Sequence, residues 1–119
     1  YRDARTFLAE DFRKYGSVII ATEDGSIGTK GNVLDAIRSH GIEGNVIYGC
    51  GPKPMLRAIS QFAGENHMEA WVSLEERMAC GIGICLGCAV AIKTENGMTY
   101  NRVCHDGPVF NSKEIVFDE

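Results

Sequence analysis

Cys80, Cys85, Cys88 and Cys104 are the residues in this chain whose type and spacing carry recognisable chemistry. The first three form a C-x4-C-x2-C run, and the fourth follows after a gap of fifteen residues. That is the spacing of a four-thiolate [2Fe–2S] loop, in which each of two irons takes two sulfurs. A centre of this kind passes electrons singly. Gly81, Gly83 and Gly87 lie between the cysteines, and glycine accepts the backbone angles that a loop folding back on itself requires. A tight loop also turns its N–H groups toward sulfur. Hydrogen bonds of that sort offset the negative charge added on reduction and so tune the potential. Ile82, Ile84 and Leu86 fill the other positions, and they are expected to shield the cluster from water.

Two plainer readings compete. A structural four-cysteine zinc site usually shows two short C-x2-C pairs; only Cys85 and Cys88 form one here, so zinc ranks second. Disulfides rank third, because five cysteines is an odd number and a disulfide scaffold belongs to secreted chains. Free thiols point to the cytoplasm.

Two further segments stand where ligands bind doubly wound sheets, at the carboxyl ends of strands. One is the polar loop Thr22-Glu23-Asp24-Gly25-Ser26. The other is Tyr48-Gly49-Cys50-Gly51-Pro52, which runs from a strand into a helix. Gly49 and Gly51 would let a flat or phosphorylated ligand approach the backbone, and a helix N-terminus offers N–H groups and partial positive charge. Each signal is weak alone. Cys50 sits where a thiol pKa can fall, but a small strand-end thiol without chemistry explains it equally well. His40 and His67 read as solvated. His105 adjoins Cys104, yet four thiolates are already at hand. Trp71 reads as core.

The elements that must hold these residues follow from periodicity. Asp3 opens a helix to about Tyr15, with Ala4, Phe7, Leu8, Phe12 and Tyr15 as its buried face. Ser17–Ala21 is a short β-branched strand of the kind covered on both faces. A helix over Gly31–His40, a strand over Asn45–Gly49, a helix after Pro52 and Pro54, and a strand over Glu69–Leu74 complete an alternation that implies parallel strands joined by right-handed crossovers. Beyond Leu74 the character changes. Ala89–Lys93 reads as a strand, Glu95-Asn96-Gly97 as a hairpin turn, and Met98–Val103 as the return to Cys104. The fold class is therefore α/β: a partial doubly wound domain over residues 1–74, then a small β/loop cluster domain over residues 75–119, with the boundary near residues 72–77. Of 119 residues, 45% are hydrophobic and 24% charged, as in an ordinary globular protein. A net charge of −4 without a Lys/Arg stripe argues against nucleic acid. No apolar run reaches the roughly 20 residues that span a bilayer. The chain opens on Tyr1 and enters a helical pattern at once, so it reads as a piece of a longer polypeptide.

The two halves together resemble a known family. The Thr22–Ser26 loop and Tyr48-Gly49-Cys50-Gly51-Pro52-Lys53-Pro54-Met55-Leu56 are similar to the pyridine-nucleotide domain of ferredoxin–NADP reductase-like flavoproteins. The stretch from Ser73 through Cys88, with Val103-Cys104-His105-Asp106-Gly107-Pro108-Val109-Phe110, resembles the electron-transfer subunit of class 1B dihydroorotate dehydrogenase. The resemblance implies Cys80, Cys85, Cys88 and Cys104 as iron ligands. It places Gly25 and Gly49-Cys50-Gly51-Pro52 against the nicotinamide nucleotide, and Arg2 near its adenosine end. It implies an electron path from NAD(H) through FAD and the cluster to the FMN of a catalytic subunit in pyrimidine biosynthesis, within a heterotetramer. A related NADH-dependent ferredoxin or sulfide-type oxidoreductase subunit is the alternative; some of those replace the first cysteine by Asp. A zinc-binding interaction module is the third reading. The family's FAD barrel and first Gly-rich strand–turn–helix have no counterpart here. FAD and NAD(H) therefore belong to a full-length subunit, this stretch alone is no complete enzyme, and strand edges are expected to lie bare.

Overall fold

A computed structural model of the chain describes residues 1–117. It packs as two units, Tyr1–Glu43 and a second from Gly44 onward.

In the first unit, helix α1 (Ala9–Arg13) precedes strands β1 (Ala21–Thr22) and β2 (Thr29–Lys30) and helix α2 (Val33–Ser39). The long N-terminal helix expected from periodicity is thus reduced to five residues, with Leu8 in the left-handed region at its start. Its apolar stripe stays exposed at Phe7, Leu8, Phe12 and Tyr15, with Phe7 meeting the Tyr1 ring edge-on at 5.7 Å. The strand expected over Ser17–Ala21 shrinks to β1, which pairs in parallel with β2 through Ala21 opposite Thr29 and Thr22 opposite Lys30. The short β2 has no period of its own, and nothing in its sequence signals it. α2 forms as expected and owes its start to Asn32. The Asn32 side chain accepts from the N–H groups of Leu34 (2.9 Å) and Asp35 (3.1 Å), and the Asp35 carboxylate accepts from the Asn32 N–H (2.8 Å). This reciprocal box satisfies donors that a helix end leaves orphaned. Leu34 and Ala36 form its buried face.

The second unit holds β3 (Val46–Cys50), α3 (Lys53–Glu65), β4 (Glu69–Ser73), β5 (Ala89–Thr94), β6 (Gly97–Arg102), α4 (Val103–Asp106) and β7 (Val109–Asn111). β3 and β4 run parallel, as the βαβ alternation requires. β7 adds antiparallel to the far side of β4, giving the order β3-β4-β7. α3 lies over this sheet with Leu56, Ile59 and Ala63 buried, against Ala70, Val72 and Leu74. β3, the strand expected over Asn45–Gly49, is an edge strand and is not buried along its length: Val46 and Tyr48 are exposed, Tyr48 by 81%. That agrees with the expected bare strand edge. β5 and β6 form the hairpin that Asn96-Gly97 signals, with Thr94 opposite Gly97. Ile115 bridges back to Ile92. Packing does not follow the expected division at 74/75. β7, from the cysteine-bearing half, completes the β3–β4 sheet, and the contact boundary falls at residues 43 and 44.

Candidate metal centre

The loop from Cys80 to Cys88 leaves β4 by way of Leu74, whose N–H donates to the Pro108 carbonyl (2.9 Å). It reverses direction through left-handed residues at Gly81, Gly83 and Leu86. Glycine accounts for two of these; Leu86 at φ 60° is a backbone feature that its residue type gave no reason to expect. Gly83 is buried, and a Cβ there would lie 2.9 Å from the Cβ of His105. The fourth cysteine stands on α4, the single turn that follows β6. It returns to the loop through the Val103 N–H, which donates to the Cys88 carbonyl (3.2 Å).

These elements join Cys104 to Cys88, whose sulfur accepts from the Cys104 N–H, while Cys80 and Cys85 stand on the same loop. All five cysteines are free. Among the described residues no three His, Cys, Asp or Glu side chains converge on one ion. Backbone donors surround the sulfurs as expected. Ile82 and Ile84 each donate to Cys80 Sγ at 3.4 Å, Gly87 to Cys85 Sγ at 3.4 Å, and Cys104 to Cys88 Sγ at 3.4 Å. The N–H groups of Cys85, Ile82 and Ile84 hold the Cys80 thiol down to about 6, so its thiolate is favoured near neutrality. The N–H of Cys104 lowers Cys88, and the hydrogen bond to Cys88 raises Cys104. The donor set therefore fits a group that needs thiolate sulfur and compensates negative charge on it.

The expected apolar shield is not formed. Ile82, Ile84 and Leu86 point outward, 65%, 75% and 63% exposed. Their backbones line the sulfurs while their side chains make a collar open to solvent.

Residues that spacing alone did not single out tie the loop down. Arg102 Nη1 donates to the Gly83 carbonyl (2.7 Å), and its Nε and Nη2 donate to the Asp106 carboxylate (2.9 and 3.1 Å). Asp106 also accepts from the Arg102 N–H (2.7 Å) and contacts His105 Nδ1 (2.9 Å). These contacts hold the Asp106 carboxyl well below the usual carboxylate range. Lys53, at the start of α3, forms an ion pair with Glu76 in the lead-in to the loop.

The candidate nucleotide residues fall in both units. Gly25 (φ +75°) lies in the first, in the turn between β1 and β2, where Asp24 Oδ1 accepts from the N–H (2.9 Å) and hydroxyl (2.6 Å) of Ser26. Arg2 is exposed in the same unit, and its carbonyl accepts from the Asp24 N–H (3.3 Å). Gly49, Cys50, Gly51 and Pro52 lie in the second, at the end of β3 and the start of α3. Gly49 is buried, and a Cβ there would press on Ile59 Cδ1 (3.2 Å), Leu56 Cδ2 (3.3 Å) and Val72 Cγ1 (3.4 Å), so its smallness lets α3 approach the sheet. Cys50 is exposed, at the end of β3. Trp71 is half-buried, with its indole N–H on Glu69 (2.6 Å). His40 caps α2, its Nε2 3.1 Å from Thr29 Oγ1.

Residues 75–116 match the family model of the iron–sulfur cluster binding domain of dihydroorotate dehydrogenase B. The chain is 47% identical over 112 residues to the electron transfer subunit of dihydroorotate dehydrogenase B (NAD(+)) from Caldanaerobacter subterraneus subsp. tengcongensis, covering 94% of the chain and 45% of that relative. The same subunit from a Geobacillus species is 46% identical over 110 residues, covering 92% of the chain and 42% of the relative. A solved structure of an NADH-dependent reduced ferredoxin–NADP oxidoreductase, described in connection with flavin-based electron bifurcation, superposes with a TM-score of 0.79 at 28% identity. It takes in 98% of the chain and 43% of that structure. The chain thus spans less than half the length of the relatives it matches. Over nearly all its own length it resembles them, and its ferredoxin reductase-like α/β architecture with an iron–sulfur segment is the one expected. No described helix is long and apolar enough to cross a membrane.

Proposed function

We infer that this chain is the cluster-bearing portion of an electron-transfer subunit of the dihydroorotate dehydrogenase B type. The observation that carries the reading is a loop whose backbone N–H groups meet its sulfurs: Ile82 and Ile84 donate to Cys80 Sγ, Gly87 to Cys85 Sγ and Cys104 to Cys88 Sγ. Thiolates at C-x4-C-x2-C spacing with N–H groups on their sulfurs suit two irons taking two sulfurs each, whereas a structural zinc site usually shows two short C-x2-C pairs. Cys80 and Cys85 would hold one iron, Cys88 and Cys104 the other. A [2Fe–2S] cluster bound there supplies one-electron transfer. Around it, the loop N–H groups fix sulfur and stabilise added negative charge, and the outward collar of Ile82, Ile84 and Leu86 offers an apolar face to a partner. That partner is an FMN-containing catalytic subunit, in a heterotetramer that serves pyrimidine biosynthesis in the cytoplasm. FAD and NAD(H) bind in the full-length subunit. Residues 1–74 contribute nucleotide contacts from Gly25, Arg2 and the Gly49–Pro52 turn, and residues 75–119 carry the cluster.

The 0.79 superposition on a ferredoxin–NADP oxidoreductase supports a second reading, a subunit of a related NADH-dependent reductase. Anaerobic purification tests the common core. Iron and acid-labile sulfide in equal amounts, with a red-brown colour that bleaches on reduction, are expected; a colourless zinc protein overturns both readings. Mixing the reduced chain with an FMN-containing dihydroorotate dehydrogenase catalytic subunit or with ferredoxin then separates them by which acceptor is reduced.

A further inference from the structure

Arg102 reaches across nineteen residues of sequence to the cluster loop. One guanidinium nitrogen caps the Gly83 carbonyl and the others hold Asp106, two residues past Cys104. The fork therefore links the loop that bears Cys80 and Cys85 to the turn that bears Cys104. Val103, the next residue, donates its N–H to the Cys88 carbonyl (3.2 Å), and the Cys104 N–H donates to Cys88 Sγ (3.4 Å), so the chain at Arg102 runs beside both Cys88 and Cys104. Arg102 is half-buried, so its cation sits in a place less screened than open solvent. A planar five-donor fork can serve a carbonyl and a carboxylate together in a way that a lysine ammonium cannot.

We propose that Arg102 is a positioning residue for the cluster site: it clamps Gly83 to Asp106 and keeps a fixed cation beside Cys88 and Cys104 that raises the reduction potential. This rests on the four cysteines holding an iron–sulfur cluster. Reduction adds one electron and one negative charge, which a nearby cation stabilises and a nearby carboxylate opposes. Arg102 and Asp106 must then act with opposite sign, although they belong to one clamp.

The test is a dithionite titration, followed by visible absorbance and electron paramagnetic resonance, of the anaerobically reconstituted full chain and three variants. Arg102→Gln is expected to move the midpoint to more negative potential. Asp106→Asn is expected to move it to more positive potential, and Arg102→Lys to hold it near the parent value with a changed resonance line shape. A purely structural clamp would move the Gln and Asn variants in the same direction, and that result, or no shift in either, overturns the proposal. Should Arg102→Gln fail to retain iron, the other two decide: a positive shift for Asp106→Asn with the parent midpoint kept in Arg102→Lys supports it, and any other pattern overturns it. A parent chain that takes up no iron or sulfide overturns the cluster reading itself and the proposal with it, before any variant is compared.

Discussion

Replacing Cys85 by Ser takes away one sulfur of a pair while leaving the loop backbone, so the outcome reads ligation rather than folding. Cys85→Ser is expected to abolish the visible spectrum and most bound iron, and Cys50→Ser to leave both unchanged, since Cys50 ends β3 and lies outside the loop. Iron analysis of the two variants side by side checks this; retained iron in the first or lost iron in the second would refute the ligand assignment. Gly83 bears a different load. At φ +82° it occupies the left-handed region, and a Cβ would meet His105 at 2.9 Å. Gly83→Ala should cost about 1–2 kcal/mol from backbone handedness alone, read as a lower denaturant midpoint and weaker cluster retention. At this scale the sulfur ligands are legible in the sequence because metal chemistry imposes a spacing. Arg102 is not, because its contact with Gly83 arises only once β6 returns beside the loop. Leu86 is not, because its positive φ follows from loop closure rather than from residue type.

Elements are legible where a segment brings its own partner. α3 has a clear apolar stripe and is flanked in sequence by the two strands it covers, so β3-α3-β4 forms as read. The β5–β6 hairpin is closed by its own turn. α1 shows the converse: Leu8, Phe12 and Tyr15 repeat with helical spacing, but periodicity says which side is apolar and not what covers it. Short isolated helices are marginal without tertiary packing, and only Ala9–Arg13 is helical. The same holds for Ser17–Ile20, which has strand composition but meets a neighbouring strand first at Ile20, whose carbonyl accepts from the Thr29 N–H of β2 (2.9 Å). Two substitutions in α3 separate propensity from packing. Gly64 lies in the helix, and a methyl group in place of its hydrogen would meet nothing within 4 Å, so Gly64→Ala should stabilise by about 0.5–1 kcal/mol. Leu56 is wholly buried between helix and sheet, so Leu56→Ala should cost about 2–5 kcal/mol. Urea unfolding monitored by helical circular dichroism measures both; a destabilising Gly64→Ala would show that the C-terminal end of α3 packs against a further partner.

At the scale of the whole molecule, the loop's exposed apolar collar is the feature that ordinary folding does not explain. Ile82, Ile84 and Leu86 alternate with the cysteines and glycines, a pattern suited to shielding, yet their side chains face water. Contiguous exposed apolar side chains on a folded chain mark interaction surfaces, and an electron carrier gains by putting such a surface where its sulfurs are nearest the outside. Ile84 allows this to be tested cleanly. It contributes to the sulfur site only through its backbone N–H, which donates to Cys80 Sγ, and its side chain is 75% exposed. Ile84→Glu keeps the N–H and places a charge in the collar, where burying it unpaired against a partner is costly. The expected outcome is an unchanged iron content and visible spectrum with electron delivery to the proposed partner, an FMN-containing dihydroorotate dehydrogenase catalytic subunit, reduced at least tenfold, equivalent to about 1.4 kcal/mol. Stopped-flow reoxidation of the reduced chain by that subunit measures it. Delivery at the parental rate, with the cluster intact, would move the docking surface away from the loop and leave the collar without a role.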